Sequence, residues 1–256
     1  SPPGEVTQHK ITEHYVPNND PNQTVLQILK ETSDGDILLF QPGEAEILAS
    51  VTEINSSTPS NVIAIPYFSN LREEKRKFVE DIDRNIQKLT IPKDIRFDIE
   101  TDESSYTKVP EGTYNRIIIV ATNIAEASIT INRLRFVIDT GTQKTNIYEY
   151  KSRSSSLNLT PISESSRLQR KGRVGRVAPG TVYYLYKQGQ MEENKRQFNI
   201  SIEDFSDKLF EMLMGNPNDK PFFNETNDPN EIDNVNMKMK NIDKMYNYGL
   251  NAMIRN

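Results

Sequence analysis

The feature that most constrains the fold is a set of short, mostly apolar runs, none longer than six residues. These runs are Ile37–Phe40, Asn61–Pro66, Arg116–Ala121 and Phe136–Asp139. Apolar runs without polar alternation fit strands that are buried on both faces, as in parallel sheets. Apolar residues at helical spacing lie before the first run, at Asn22–Thr32, and between the first two, at Glu44–Glu53. Such helices supply the crossovers that parallel strands need. The sequence therefore predicts an α/β fold with helices on both faces of a parallel sheet.

The other segments complete this pattern. We expect a strand at Ile11–Val16, a charged amphipathic helix at Leu71–Leu89, a polar loop at 101–115, a helix at Ser163–Lys171 and a last strand at Thr181–Tyr186. Weak alternation from Gln143 to Leu159 predicts a β-hairpin. After about residue 190 the chain becomes acidic and rich in Asn, with helical spacing near Ser201–Met214 and Glu231–Tyr248. This change predicts one domain over 1–190 and a mostly helical C-terminal extension over 191–256.

The distribution of charge is more informative than the net charge of −5. Basic residues concentrate between 151 and 190, where Glu164 is the one acidic residue. Binding depends on local charge, because salt screens the field within about 8–10 Å. The basic stripe is therefore compatible with an anionic ligand. With no Cys and two His, His9 and His14, the sequence predicts no metal site.

The sharpest local pattern is the run Gln169–Arg176, in which Arg173 and Arg176 are three residues apart and glycines lie beside them. Phosphoryl transfer needs forked cationic donors where charge builds on the γ-phosphate, and arginine supplies them. A glutamine beside them can orient the attacking water. The alternative for an isolated run of this kind is a solvated basic turn.

Further motifs decide between a phosphate-binding role and a solvated basic turn. The run Gln169–Arg176 resembles motif VI of superfamily 2 helicases, Ala121–Ile131 resembles motif V of the DEAH/RHA group, and Gly35–Ile47 resembles motif IV. Val137–Gly141 and Thr160–Ser163 follow at the spacing of that group. The chain is thus similar to the second RecA-like domain of a DEAH/RHA-type helicase. Within motif VI it looks closest to the poxvirus-type viral phosphohydrolase helicases, which favours a large DNA virus as its source.

The resemblance implies a nucleotide site that faces a partner domain. It assigns Arg173 and Arg176 to the γ-phosphate, Gln169 to the hydrolytic water, and Thr130, Asn132 and Gly172 to nucleotide binding. At the position of Asn132 relatives often carry an acidic residue that hydrogen-bonds the ribose. An amide lacks that charge assistance, which puts the ribose contact in doubt. Phe78 does not match the spacing of the adenine-stacking aromatic residue, and core packing is the favoured reading.

The resemblance also implies a surface for a nucleic-acid backbone. Thr122 directly follows a predicted buried strand, and strand carboxyl ends are where α/β sheets bind ligands. The residues expected at this surface are Thr122, Asn123, Ser128, Gln41, Gly43, Ser69 and, at the tip of a strand-separating hairpin, Lys151 and Arg153. Taken alone, Gln41, Gly43 and Ser69 are more often plain turn formers. An ordinary exposed hairpin tip is the alternative for the last two residues.

The sequence contains neither a GxxxxGK[ST] phosphate loop nor an Asp-Glu-x-His segment. The resemblance places both in a first RecA-like domain before residue 1, which would bind most of the ATP, or another NTP, with Mg²⁺. We therefore expect this polypeptide alone to hydrolyse no ATP at a useful rate. The implied partners are that first domain and a single-stranded nucleic acid, RNA rather than DNA, with no membrane. The implied location is intracellular: the host cytoplasm or the virion for a viral protein, with the nucleus left open.

Two hypotheses from other functional classes stay open. A non-catalytic nucleic-acid-binding module could keep the RecA shape, and the acidic net charge slightly favours it. Binding alone does not require Gln169, Arg173 and Arg176 together, which argues against it. The third reading is a protein-interaction platform built on the acidic segment 191–256. Salt-dependent binding to a single strand would separate the first two readings from the third.

Overall fold

The computed structural model describes residues 9–85, 89–149 and 154–191. Its elements in chain order are β1 (Ile11–Tyr15), α1 (Pro21–Glu31), β2 (Asp36–Phe40), α2 (Glu44–Ser57), β3 (Val62–Tyr67), α3 (Glu73–Glu80), β4 (Leu89–Ile91), β5 (Ile95–Ile99), β6 (Asp102–Val109), β7 (Gly112–Tyr114), β8 (Arg116–Ala121), β9 (Leu134–Asp139), β10 (Thr142–Glu149), β11 (Ser154–Pro161), α4 (Glu164–Lys171) and β12 (Gly180–Tyr184). Two short 3-10 helices add Ile82–Asn85 and Asn123–Glu126.

Six strands form one parallel sheet in the order β1-β12-β9-β2-β8-β3. The chain crosses the sheet in one direction from β1 through β2 to β3, and returns through β8 and β9 to β12. Because parallel crossovers are right-handed, this reversal puts α1 and α2 on one face and α4 on the other. In agreement, α1 packs against α2, while α4 packs against β9. The predicted α/β architecture is confirmed.

The burial of strands β2, β3 and β8 explains why apolar and polar residues do not alternate in their sequences. Every residue of β2, β3 and β8 is buried. Strands β2 and β8 have neighbours on both sides, whereas β3 lies at an edge of the sheet and is buried along its whole length all the same. The edge strand β1 is exposed at its three middle positions. Complete burial therefore marks three adjacent strands, β2, β8 and β3, whose carboxyl ends lie side by side.

The predicted helix at Leu71–Leu89 is wrong in extent. Helix α3 ends at Glu80, a 3-10 turn covers Ile82–Asn85, and Leu89 already belongs to β4. Asp and Asn are poor interior helix residues because their side chains compete for backbone hydrogen bonds. Three of them lie between 81 and 85, and the helix ends there.

The predicted polar loop at 101–115 is also wrong, because it contains β6 and β7. These strands pair antiparallel with β5 and β4, which the sequence did not suggest. In β6 the buried positions near its end are Thr107 and Val109, two residues apart, and the intervening face is exposed. In such a strand the two-residue alternation of apolar and polar side chains is hard to recognise, because Ser, Thr and charged residues occupy most positions.

The predicted β-hairpin is confirmed as the two-stranded sheet β10–β11. Residues 144–158 of this hairpin belong to a compact unit separate from the one that holds the parallel sheet. The hairpin tip with Lys151 and Arg153, and the helices predicted at Ser201–Met214 and Glu231–Tyr248, lie outside the described residues. The boundary at 190 stays a prediction. No helix in the described part of the chain is both long and apolar enough to cross a lipid bilayer.

Asp36 lies almost completely buried at the start of β2, where its Oδ1 accepts the Ile117 N–H at 3.0 Å. Burial raises the pKa of its carboxyl to about 6, although Arg133 and the Ile117 amide oppose the shift. Because the folded pKa is raised, the favourable contribution of protonated Asp36 is present below pH 4 and is lost as the pH rises through 6.

We therefore expect Asp36→Asn to remove this pH dependence. Between pH 4.5 and 7.5 the free energy of unfolding of the variant should gain about 2 kcal/mol relative to the unsubstituted protein. Chemical denaturation at both pH values measures this difference. Asp34→Asn, at an exposed carboxylate two residues away, is the matched control. Parallel pH profiles for Asp36→Asn and the unsubstituted protein would contradict the expectation.

Candidate functional site

The structure brings Thr130, Arg173 and Arg176 together around one small depression. Its lining consists of Leu38, Ile129, Thr130, Ile131, Leu134, Arg173 and Arg176, and its volume is about 10 Å³. That is roughly enough room for one water-sized group. Arg173 Nη1 donates to the Ile129 carbonyl at 3.4 Å, and both arginine side chains are half-buried. Two guanidinium groups and a hydroxyl thus share a site suited to a phosphate oxygen. We call this site the arginine depression.

Helix α4 and the turn after it set the positions of the two arginines. The Ser163 Oγ accepts the Ser166 N–H at 3.1 Å and caps the start of α4, and Gly172 is the C-cap residue that follows the helix. Arg176 Nε then donates back to the Gly172 carbonyl at 2.9 Å. Gly175 has φ +76°, and a Cβ there would lie 2.7 Å from Ile11 Cγ1. Only glycine fits this position, and it allows the tight turn between the arginines.

The other predicted nucleotide residues lie nearby but play different structural parts. Gln169 is exposed, one helical turn before Arg173, and does not line the arginine depression. The Gly172 carbonyl accepts the hydrogen bond from Arg176 Nε, so its contribution to the site is to hold that arginine. Asn132 is exposed, and its N–H donates to Asp83 Oδ2 at 2.6 Å. Sequence reasoning missed Asp83, because 49 residues separate the two positions and no local pattern connects them.

The predicted nucleic-acid residues Gln41, Thr122 and Ser69 follow three adjacent strands. In the sheet register Phe40 and Tyr67 both pair with Ala121, so β2, β8 and β3 end level with one another. The Gln41 N–H donates to the Ala121 carbonyl at 2.8 Å, and the Thr122 N–H donates to Tyr67 at 3.3 Å. We call the row formed by Gln41, Thr122 and Ser69 the carboxyl edge. Gly43 and Asn123 lie on the same two connections as Gln41 and Thr122.

The side chains along the carboxyl edge differ in their exposure. Gln41 is buried, and its Nε2 donates to Ser50 Oγ at 2.9 Å, so only its main chain faces the edge. Gly43 is buried and is the N-cap residue of α2. Thr122 is half-buried, whereas Asn123 and Ser69 are exposed. The side chains that can meet a backbone phosphate directly are therefore those of Thr122, Asn123 and Ser69.

Ser128 joins the carboxyl edge through a buried tyrosine. The Tyr67 hydroxyl lies 2.9 Å from Ser128 Oγ and donates to Glu80 Oε1 at 2.9 Å. Burial raises the pKa of Tyr67 to about 12, and Glu80 adds to the shift while Ser128 opposes it. The Ser128 Oγ also donates to the Ile124 carbonyl. These contacts tie Ser128 to the end of β3, so a nucleic-acid contact there would compete with Tyr67.

Arg170, one of the basic residues between 151 and 190, is completely buried. Its Nη1 donates to Asp139 at 2.7 Å, its Nε donates to Glu126 at 2.9 Å, and its guanidinium lies over the Phe40 ring. Burial lowers the pKa of Arg170, but the carboxylates of Asp139 and Glu126 outweigh this effect and hold it above the ordinary arginine value. Such a cation cannot contact a nucleotide, so Arg170 serves the structure of the motif. The sequence gives no sign of this burial, because polar Gln169 and Lys171 flank Arg170 and its carboxylate partners lie 31 and 44 positions away.

Comparisons with known proteins agree with this geometry. The model of the helicase conserved C-terminal domain matches residues 67–178. RNA helicase R366 of Acanthamoeba polyphaga mimivirus is 38% identical over 248 residues, 92% of this chain and 14% of that protein. The ATP-dependent RNA helicase HrpA of Borreliella burgdorferi is 37% identical over 166 residues, 64% of this chain and 17% of that protein. This chain thus spans a small part of both relatives.

A solved structure gives the same fold. The crystal structure of the Escherichia coli DEAH/RHA helicase HrpB matches 84% of this chain and 25% of that one, with a TM-score of 0.65. At 24% sequence identity, this likeness concerns the fold alone. One of the relatives, R366, is a viral protein, and the predicted viral source of this chain stays a prediction.

Proposed function

Since the chain belongs to the helicase C-terminal domain family, in its DEAH type, we propose that it is the second motor lobe of an ATP-dependent RNA helicase. One observation carries the proposal. Arg173, Arg176 and Thr130, which lie up to 46 positions apart in sequence, line the same depression. In phosphoryl transfer, arginines supplied across a cleft stabilise the charge on the transferred group.

In this proposal the nucleotide lies between two lobes. The charged side chains of the arginine depression are both cationic, so they suit phosphate oxygens and cannot ligate Mg²⁺. We therefore assign Mg²⁺, and most contacts to the NTP, to a first RecA-like lobe of the full-length protein. Gln169, exposed near the depression, would orient the attacking water. The second lobe alone is expected to hydrolyse no ATP at a useful rate.

The carboxyl edge is the proposed contact with the nucleic acid. Thr122, Asn123 and Ser69 present small polar groups at the ends of adjacent strands, which suits backbone phosphates and reads no base. Relatives named as RNA helicases favour RNA as the strand bound. An enzyme that acts on RNA with ATP works inside cells or virions, and we propose an intracellular location on that ground.

The test uses the full-length helicase and Thr122→Val, which removes a hydroxyl and keeps the side-chain shape. Losing one hydrogen bond to a charged phosphate should raise the single-stranded RNA concentration that gives half-maximal ATP hydrolysis about tenfold. Thr113→Val, at an exposed threonine of β7, is the matched control and should change nothing. An unsubstituted protein that binds RNA but shows no RNA-stimulated hydrolysis would support a non-catalytic binding module instead.

A further inference from the structure

The buried Arg170 joins the carboxyl edge to the arginine depression. Glu126 ends the 3-10 helix that begins directly after Thr122. Its Oε1 accepts hydrogen bonds from Arg170 Nε and from the Ser166 hydroxyl, both of which belong to α4. The segment that leaves the carboxyl edge is thus bound to the helix that leads to Arg173. We call residues 122–126 the edge segment.

The two carboxylates around Arg170 are held differently. Asp139 is fully buried and accepts hydrogen bonds from the Gly141 N–H at 2.9 Å and the Tyr186 hydroxyl at 2.7 Å, in addition to Arg170. The side-chain donors to Glu126, among the described residues, come from α4, and its side chain is 12% exposed. Asp139 is therefore also held by Gly141 and Tyr186, whereas the side-chain contacts of Glu126 join the edge segment to α4 and would transmit a movement of that segment.

Arg170 is close enough to Arg173 to transmit such a movement. The Arg173 N–H donates to the Arg170 carbonyl at 3.1 Å, in the turn that closes α4. Arg173 Nη1 also donates to the Ile129 carbonyl, three residues beyond Glu126. Two links therefore run between the same two stretches of chain, one through Glu126 and one through Ile129. A shift of the edge segment relative to α4 must change the position of Arg173.

We propose that Glu126 is a positioning residue that makes the placement of Arg173 depend on nucleic acid bound at Thr122. This inference rests on the proposed function and assigns its RNA dependence to one carboxylate. Glu126 does not touch the nucleotide; it acts through Arg170. Removing its charge leaves Arg170 paired with Asp139, so the fold and the arginine depression remain.

The experiment compares Glu126→Gln with the unsubstituted full-length helicase. ATP turnover is measured without nucleic acid and with saturating single-stranded RNA, and RNA affinity is measured by fluorescence anisotropy. The ratio of stimulated to basal turnover should fall about tenfold, within the usual range of coupling between two sites. Basal turnover and RNA affinity should each stay within about twofold, below the usual range of coupling effects.

Glu164→Gln is the matched control, because it removes an arginine-paired carboxylate from the same helix without touching the edge segment. It should leave the ratio unchanged. Ser166→Ala, which removes the second donor to Glu126, should lower the ratio less than Glu126→Gln and serves if that variant fails to fold. Equal losses of basal and stimulated turnover, or no loss at all, would overturn the inference alone. An unsubstituted protein whose hydrolysis ignores RNA would overturn the proposed function, and the inference with it.

Discussion

Replacing Arg176 with alanine in the full-length helicase should lower ATP turnover by about three orders of magnitude, the usual scale for an arginine that acts across a cleft. The physical reason is the charge that spreads over the γ-phosphate oxygens in the transition state. Arg176 lines the arginine depression with its guanidinium fixed by the Gly172 carbonyl. A donor held in place before the reaction stabilises that charge without reorganising.

The split between kinetic constants distinguishes this role from a structural one. Because the interaction strengthens in the transition state, kcat should carry most of the loss, whereas the KM for ATP and the affinity for RNA change little. Steady-state kinetics with RNA present measure both constants. Arg96→Ala, at an exposed arginine that stacks on Tyr106 in the β5–β6 ladder, is the control and should keep full turnover. Normal turnover by Arg176→Ala would remove the arginine from the catalytic role.

The sequence is sufficient to predict the central sheet because burial on both faces leaves a plain mark. Strands β2, β3 and β8 contain almost no polar residues, so their order between helices defines an α/β fold. The insertion from β4 to β7 leaves no such mark. Its strands are short, half-exposed and rich in Ser, Thr and charged residues, and their pairing depends on contacts across the chain. Local propensity cannot specify such pairing.

The candidate site likewise has one part that the sequence predicts and another that it does not. The turn that carries Arg173 and Arg176 has a local pattern, and in the structure both arginines line one depression with Thr130. Their role in nucleotide binding stays a prediction. Gln41 was expected to face the nucleic acid, yet its side chain is buried against Ser50, because a strand end can turn its side chain either way. Whether an arginine is exposed, like Arg96, or buried, like Arg170, depends on distant partners. Such partners are visible only in three dimensions.

Replacing Arg170 with alanine should destabilise the protein by about 3–5 kcal/mol, the usual cost of removing one member of a buried ion pair. The loss exceeds that of the missing contacts, because Asp139 and Glu126 keep their negative charges without a compensating cation. Chemical denaturation measures the free energy of unfolding. As the control, Lys171→Ala removes a cation from the same helix that is 30% exposed and pairs with Glu13, and it should cost about 1 kcal/mol or less.

The negative charge left on Asp139 should account for much of the cost of Arg170→Ala, because that carboxylate is fully buried and loses its ion-pair partner. Adding Asp139→Asn to Arg170→Ala removes the stranded charge and should recover about 1–2 kcal/mol. Chemical denaturation of the single and double variants in the same buffer measures the recovery. If Asp139→Asn recovers nothing, the carboxylates are not held in place by Arg170, and α4 is anchored by packing alone.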